Sequence, residues 1–232
     1  MRLAVMQPYF LPYIGYFQLM AAVDKFVVFD DVNFINRGWI NRNRILVGGK
    51  EAMVTVPLAK ASQNQKINEI DVVRDYPWQG KLLRTIEQSY KRAPHFEEVF
   101  PLMRTVIEAP ATNLASFVTQ SLVSVTDWLG IRCELLPTSS VYANTQLKGQ
   151  ARILDICRQE RATHYFNLPS GKDLYDKVAF AAQGVALQFI QPLPVAYAQK
   201  TPEFVPWLSI LDVLMFNGRQ ATSDMLKSVD LQ

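Results

Sequence analysis

The chain predicts an α/β fold: a Rossmann-like, mostly parallel sheet with a β-hairpin insertion and a helical middle segment. Three observations lead there. Short β-branched and aromatic runs alternate with stretches of helical apolar spacing near both ends of the sequence, the pattern of parallel strands joined by crossover helices. WINRNRILVGGKEAMVTVPL, residues 39–58, sets two extended runs on either side of Gly48-Gly49, a hairpin signature. Residues 78–130 repeat apolar positions every three or four places with no strand run between them. The whole chain, 1–232, reads as a single α/β domain, with 78–130 as a candidate helical subdomain and no linker composition to separate the two.

The elements follow in order. RLAVM (2–6) is a short buried strand, and Pro8, lacking an N–H, ends ladder pairing beyond it. GYFQLMAAV (15–23) has helical spacing, and KFVVFDDV (25–32) is a second strand ending in two carboxylates. Strand, turn, helix and strand make a βαβ unit with a right-handed crossover. After the hairpin comes a polar segment, ASQNQKINEIDV, then helices over 78–94, 96–109 and 113–131, the last capped by Asn113 and stopped by Gly130. CELLPTSS returns to strand. A helix over 147–162, a strand over 163–169, a helix over 173–184 and a strand over 185–193 follow. A proline-rich connection then leads to a last helix at 208–218.

Composition limits the function. A charge of +3, from 24 basic and 21 acidic residues, is too small for a nucleic-acid binder, so any anion site is local. The two cysteines, Cys133 and Cys157, lack metal-site spacing and fit a reduced, cytoplasmic protein. No apolar run approaches the ~20 residues of a membrane span, and MRLAVMQPYF has no signal-peptide core.

Candidate site residues fall in three stretches. In QPYFLPYIGYFQLM, the segment after the first strand lies where open parallel sheets bind ligands. Gln7 offers an amide, Tyr9, Tyr13 and Tyr16 offer rings and hydroxyls, and Pro12 and Gly15 shape the turn into a helix whose N-terminus favours anions. In DDVNFINRGWINRNRI, Arg37, Arg42 and Arg44 lie within eight residues, interleaved with Asn36, Asn41 and Asn43. Such donors grip phosphate or carboxylate, and in an extended segment Arg42 and Arg44 share one face. Asp30 and Asp31 are the candidate general bases. In ATHYFNLPSGKDLY, Ser170 and Lys172 can meet a phosphate, Tyr175 sits one turn on, and His164 is a candidate base because an imidazole titrates near neutral pH. Ser209 and Asp212 lie three apart on the last helix and read as a cap with its partner or a buried polar pair. No metal-ligand spacing, G-x-S-x-G elbow, Walker A loop or G-x-G-x-x-G is present.

Taken together, QPYFLPYIGYFQLM, FDDVNFINRGWINRNRI, ILDICRQERATHYFNLPSGKDLY and LSILDVLMFNG resemble the WbqC-like family, and they span residues 7–218. The resemblance implies a place in bacterial O-antigen or other surface-polysaccharide biosynthesis. It implies a transferase acting on a phosphate-bearing substrate, with acyl or aminoacyl transfer to a nucleotide-linked amino sugar as the leading reaction. A second likeness, of the F-x-P-x-x-G-Y turn at Phe10–Tyr16, is to the HxGH-type nucleotidyltransferases, but Ile14 and Tyr16 stand near the places of the two histidines. The alternatives are therefore a nucleotidyltransferase-like enzyme and a non-catalytic sugar-nucleotide binder. The expected partner is a small molecule, a nucleotide-activated sugar, and the residues name no cofactor and no oligomeric state.

Overall fold

The computed structural model describes residues 1–73, 76–110, 112–193 and 195–232. In chain order its elements are β1 (Arg2–Met6), α1 (Ile14–Ala22), β2 (Lys25–Val28), β3 (Arg42–Val47), β4 (Lys50–Thr55), β5 (Leu58–Ala59) and β6 (Asp71–Val72). Then come α2 (Trp78–Tyr90), α3 (Phe96–Ile107), α4 (Leu114–Leu129), β7 (Glu134–Leu136), α5 (Gly149–Gln159) and β8 (His164–Asn167). α6 (Lys177–Ala181), β9 (Ala186–Pro192), α7 (Ile210–Met225) and β10 (Val229–Leu231) complete the chain.

One six-stranded sheet has the spatial order β10-β9-β8-β1-β2-β7. Its pairs are parallel except the last, β9 with β10. Ranked by appearance among the sheet's own strands, this is the 3-2-1-4-5-6 arrangement of a doubly wound fold, with the order reversing between β1 and β8. Both faces are covered, which is why LAV and FVV are continuously apolar rather than alternating. Leu3, Val5, Val27 and Tyr165 pack with Ile153, Ile156 and Cys157 of α5 and Phe180 of α6. Ala4, Phe26 and Ile190 face the larger core, which takes in Phe17 and Met20 of α1 and the apolar sides of α2, α3, α4 and α7. The expected caps of α4 are in place: Asn113 Oδ1 accepts from Ser116 N at 3.3 Å, and Gly130 takes φ 72°. The β3–β4 hairpin turns at Gly48-Gly49, both at positive φ.

Some boundaries differ from expectation. β2 stops at Val28, so Asp30 and Asp31 stand in the loop beyond it. The helix expected over 173–184 is a 3-10 turn, Pro169–Leu174, followed by the short α6, because Tyr175 is extended and packs its ring on Tyr165 and Phe180. α7 does not end at Gly218 but bends there, at φ 67° and ψ −170°. A Cβ at that position would lie 2.4 Å from His95 Nδ1, so the glycine admits both the bend and the ring. β10, at the antiparallel edge, follows without any strand run in the sequence to announce it. Among the described residues no helix is long and apolar enough to cross a membrane.

Candidate functional site

The aromatic stretch after β1 crosses the carboxyl end of the sheet as a turn that cannot satisfy its own backbone. Pro8 and Pro12 remove two N–H donors, and Leu11 sits at φ 41°, so the turn's carbonyls need donors from elsewhere. Asn43 of β3 supplies two, its buried Nδ2 reaching Phe10 O at 3.1 Å and Leu11 O at 2.9 Å. Ser209 Oγ donates to Leu11 O at 2.7 Å, and Ile210 N to Pro12 O at 2.8 Å. Phe10 N donates back to Ile40 O at 3.1 Å. The hairpin and the start of α7 therefore fix the turn from two sides.

Between these segments and the ends of β8 and β9 lies a cavity of about 350 Å³. It opens beyond β1 and β8, where the strand order reverses. Tyr9, Pro12 and Tyr13 come from the turn, and Trp39, Asn43 and Arg44 from the hairpin region. Ser170, Gln191 and Trp207 come from three later parts of the chain. Tyr13 meets Trp207 edge to face, their centroids 5.8 Å apart. The Arg44 guanidinium lies over the Trp39 ring at 5.6 Å, donates from Nη1 to Glu51 at 2.7 Å and reaches Trp207 O from Nη2 at 3.3 Å. Its Nε is buried and has no partner among the described residues. Burial raises the Tyr9 phenol and, with the nearby Tyr9, pushes Tyr13 up to about 12, so at neutral pH both keep their protons and can donate.

The remaining sequence candidates separate into groups. Gln7 accepts Tyr16 OH through its carbonyl at 2.8 Å, and Tyr16 itself is buried in the core. The space beside Gly15 is filled by protein, since a Cβ there would lie 2.3 Å from the Tyr13 ring and 2.7 Å from Pro192. Asn36 and Arg37 are exposed, and Asn41 Nδ2 donates to Val56 O at 2.9 Å. Arg42 turns back on the loop before it, donating to Gly38 O at 2.9 Å and to Arg37 O. Of the three arginines, only Arg44 faces the cavity. Lys172 is exposed and reaches Gln232. His164 opens β8 opposite Arg2 of β1, at the amino end of the sheet, and its Nδ1 lies 2.9 Å from Thr163 Oγ1. The cavity is at the other end of that strand, so the fold does not bring His164 to the other candidates.

Asp30 and Asp31 form a closed cluster of their own on the β2–β7 side. Asp30 Oδ1 accepts from Thr138 Oγ1 at 2.8 Å, Ser139 N at 3.0 Å and Ser139 Oγ at 3.3 Å. Burial raises the Asp30 carboxyl, against the pull of those hydrogen bonds. Asp31 Oδ1 accepts from Ser139 Oγ, and Oδ2 from Arg152 Nη2 at 2.5 Å, both partners of that ion pair being buried. Arg152 in turn donates to Asn144 Oδ1 at 2.8 Å and stacks on Phe29 at 4.8 Å. The Asp31 carboxylate is thus held in a buried ion pair, while among the described residues no hydrogen bond reaches Asp30 Oδ2.

Sequence reasoning passed over Trp39, Trp207 and Gln191. The tryptophans carried a usable signal: Trp39 opens the hairpin stretch, Trp207 stands in the proline-rich connection, and each neighbours a chain-breaking residue, Gly38 or Pro206. Gln191 carried none. Among the described residues, no group of three or more His, Cys, Asp or Glu side chains is placed to hold a metal ion.

The sequence model of the WbqC-like protein family matches residues 7–224. The uncharacterized protein Rv1507c of Mycobacterium tuberculosis (strain ATCC 25618 / H37Rv) is 31% identical over 223 residues, covering 95% of this chain and 95% of that one. No solved structure gives a significant match.

Proposed function

The chain belongs to the WbqC-like protein family, and on that premise we propose that it is a transferase of bacterial surface-polysaccharide biosynthesis whose cavity takes a nucleotide-activated sugar. Acyl or aminoacyl transfer to the amino group of that sugar is the reaction class the proposal names. One observation carries it: the cavity at the reversal of strand order has aromatic rings and a single guanidinium for walls. Its volume of about 350 Å³ falls within the range of small-molecule pockets, roughly 300–1,000 Å³. Trp39 and Trp207 supply faces on which a base or a sugar ring stacks. Arg44 supplies a planar donor edge for a phosphate. Tyr9, Tyr13, Asn43, Ser170 and Gln191 supply neutral donors and acceptors suited to sugar hydroxyls. On this reading the protein contributes mainly by holding the reacting groups in place.

A second reading, a non-catalytic sugar-nucleotide binder, is favoured by the character of the same walls. Among the described residues, the cavity lining contains no His, Cys, Lys, Asp or Glu. A thermal-shift screen against sugar nucleotides, acyl-CoAs and nucleoside triphosphates with Mg²⁺ tests both. A ligand at 100 times its Kd adds about 2.7 kcal/mol of stability, so a sugar nucleotide should raise Tm measurably. Arg44→Ala should remove that shift and Arg42→Ala should keep it. A shift that survives Arg44→Ala, or none with any sugar nucleotide, ends the proposal. Turnover with an acyl-CoA present separates transferase from binder.

A further inference from the structure

The cavity takes its two sides from distant parts of the chain, the hairpin and the irregular connection between β9 and α7, and one carboxylate touches the support of both. We infer that Asp212 is a positioning residue that ties the hairpin side of the cavity to the Trp207 side, so that the two keep one mutual arrangement.

Asp212 lies in the first turn of α7, fully buried, and among the described residues no cationic side chain pairs with its carboxylate. Its donors come from two separate segments. Oδ1 accepts from Tyr90 OH at 2.8 Å, while Oδ2 accepts from Tyr197 OH at 2.8 Å and Gln199 Nε2 at 3.0 Å. Each arm leads to the cavity. On the hairpin side, the Tyr90 hydroxyl also accepts from Leu46 N at 2.9 Å, which anchors β3 two residues beyond Arg44. On the other side, Gln199 closes the connection on itself, donating to Val205 O at 2.9 Å and accepting from Val205 N at 2.7 Å. Two residues later comes Trp207, at φ 60°. The bond from Arg44 Nη2 to Trp207 O completes a ring of contacts that starts and ends at Asp212.

A buried carboxylate without a cation is an expensive way to stabilise a core, because an apolar side chain of similar volume would pack there without desolvating a charge. A purely structural acid therefore needs a further reason, and the donor set supplies one. Its donors are Tyr90 of α2, which holds the arginine's strand through Leu46 N, and Tyr197 and Gln199 of the connection that carries one of the cavity's tryptophans. A non-glycine residue at positive φ persists only where its surroundings over-determine it, and Trp207 is held from both directions. Ser209, three residues earlier on the same helix, fixes the aromatic turn and accepts no part of this ring. The start of α7 is thus the common support of all three cavity segments.

The test needs no ligand. Trp207 accessibility is read by acrylamide quenching of the full chain, as the difference between each variant and the same variant with Trp207→Phe. Asp212→Asn keeps the shape but turns an acceptor into a donor. It should raise the Trp207 quenching constant at least twofold, with far-UV circular dichroism unchanged. Tyr197→Phe should act in the same direction. Tyr90→Phe is read alone and together with Arg44→Ala, because the Arg44 bond to Trp207 O gives Tyr90 a second route to that ring, through Leu46 and β3. An effect kept with Arg44→Ala runs through Asp212. If Tyr90→Phe leaves Trp207 quenching unchanged, the tie is refuted, and should Asp212→Asn fail to fold, the two tyrosine variants still give the answer. A second arm rests on the function proposed above and uses UDP-N-acetylglucosamine as probe. Tyr90→Phe and Tyr197→Phe together should weaken binding by less than the product of their separate factors, since each breaks the same tie. Full multiplicativity overturns the inference, whereas no binding by the unmodified protein overturns the functional reading and leaves the quenching result to stand by itself.

Discussion

Two polar regions sit at the carboxyl end of the same parallel sheet, and they differ in what they leave unmet. Beside β2 and β7, Asp30 Oδ1 and both Asp31 oxygens are engaged by Thr138, Ser139 and Arg152, and the Asp31–Arg152 pair is buried. Beside β1 and β8, Arg44 Nε has no partner among the described residues, Trp39 and Trp207 stay 41% and 43% exposed, and there is open volume between them. A charged side chain near the sheet's carboxyl end is common to both. Room, exposed aromatic faces and unspent donors belong to one, and these separate a binding site from a brace.

The largest effect that sharpens this contrast is expected at Asp31. Asp31→Ala strands a buried guanidinium, and breaking such a pair costs roughly 3–5 kcal/mol. Urea denaturation should show that loss. The stabilisation a sugar nucleotide adds should survive in the folded fraction. Asp31→Leu with Arg152→Met should recover much of the stability, because it removes both charges together. A mild stability loss with abolished ligand binding would reverse the roles assigned to the two regions.

The same contrast explains what was legible in the sequence. The βαβ start, the hairpin turn and the Asn113 and Gly130 caps were readable because each depends on neighbours a few residues apart. The aromatic turn and the hairpin were both marked as site segments, and Asn43 joins them. Arg44 could not be told from Arg37 and Arg42 by type or spacing. What singles it out is contact with Glu51 across the hairpin and with Trp207, a residue 163 positions away. His164 looked apt because an imidazole titrates near neutral pH, yet a four-residue strand puts it at the opposite end of the sheet from Ser170. Residue type marks what a side chain can do, and only the register of the sheet decides at which end it does it.

A smaller effect is expected at the exposed ring. Trp207 is partly exposed and its main packing partner is Tyr13, so Trp207→Ala should change folding stability little. If it stacks on a base or sugar, ligand affinity should fall by about 1–3 kcal/mol, the range of base–aromatic stacking. Titration calorimetry with the sugar nucleotide found in the screen reads this directly. Trp207→Phe should restore part of it. Unchanged affinity in both variants would leave the cavity's aromatic wall without a role and weaken the distinction between the two regions.

The smallest effect concerns acid. Each region holds one carboxyl raised by burial, Asp30 in the closed cluster and Asp212 behind the cavity. A carboxyl raised on folding binds its proton more tightly in the native state, so its contribution to stability is fully present below the unfolded value of about 3.9 and is lost as pH rises through the folded value. Asp24 behaves the other way. Its hydrogen bonds from Arg2 lower its pKa, and its contribution is present above the unfolded value and lost as pH falls. The measured acid limb is the sum of these opposed slopes. Asp30→Asn and Asp212→Asn should each remove one declining component, so that the urea midpoint of either variant falls less than that of the parent as pH rises from 4 toward neutrality. Only Asp212→Asn should also alter Trp207 quenching across that range, because only Asp212 is hydrogen-bonded to the segment that carries the ring. Equal quenching changes in both variants would mean that the two regions are coupled through the sheet, and the contrast between brace and site would have to be redrawn.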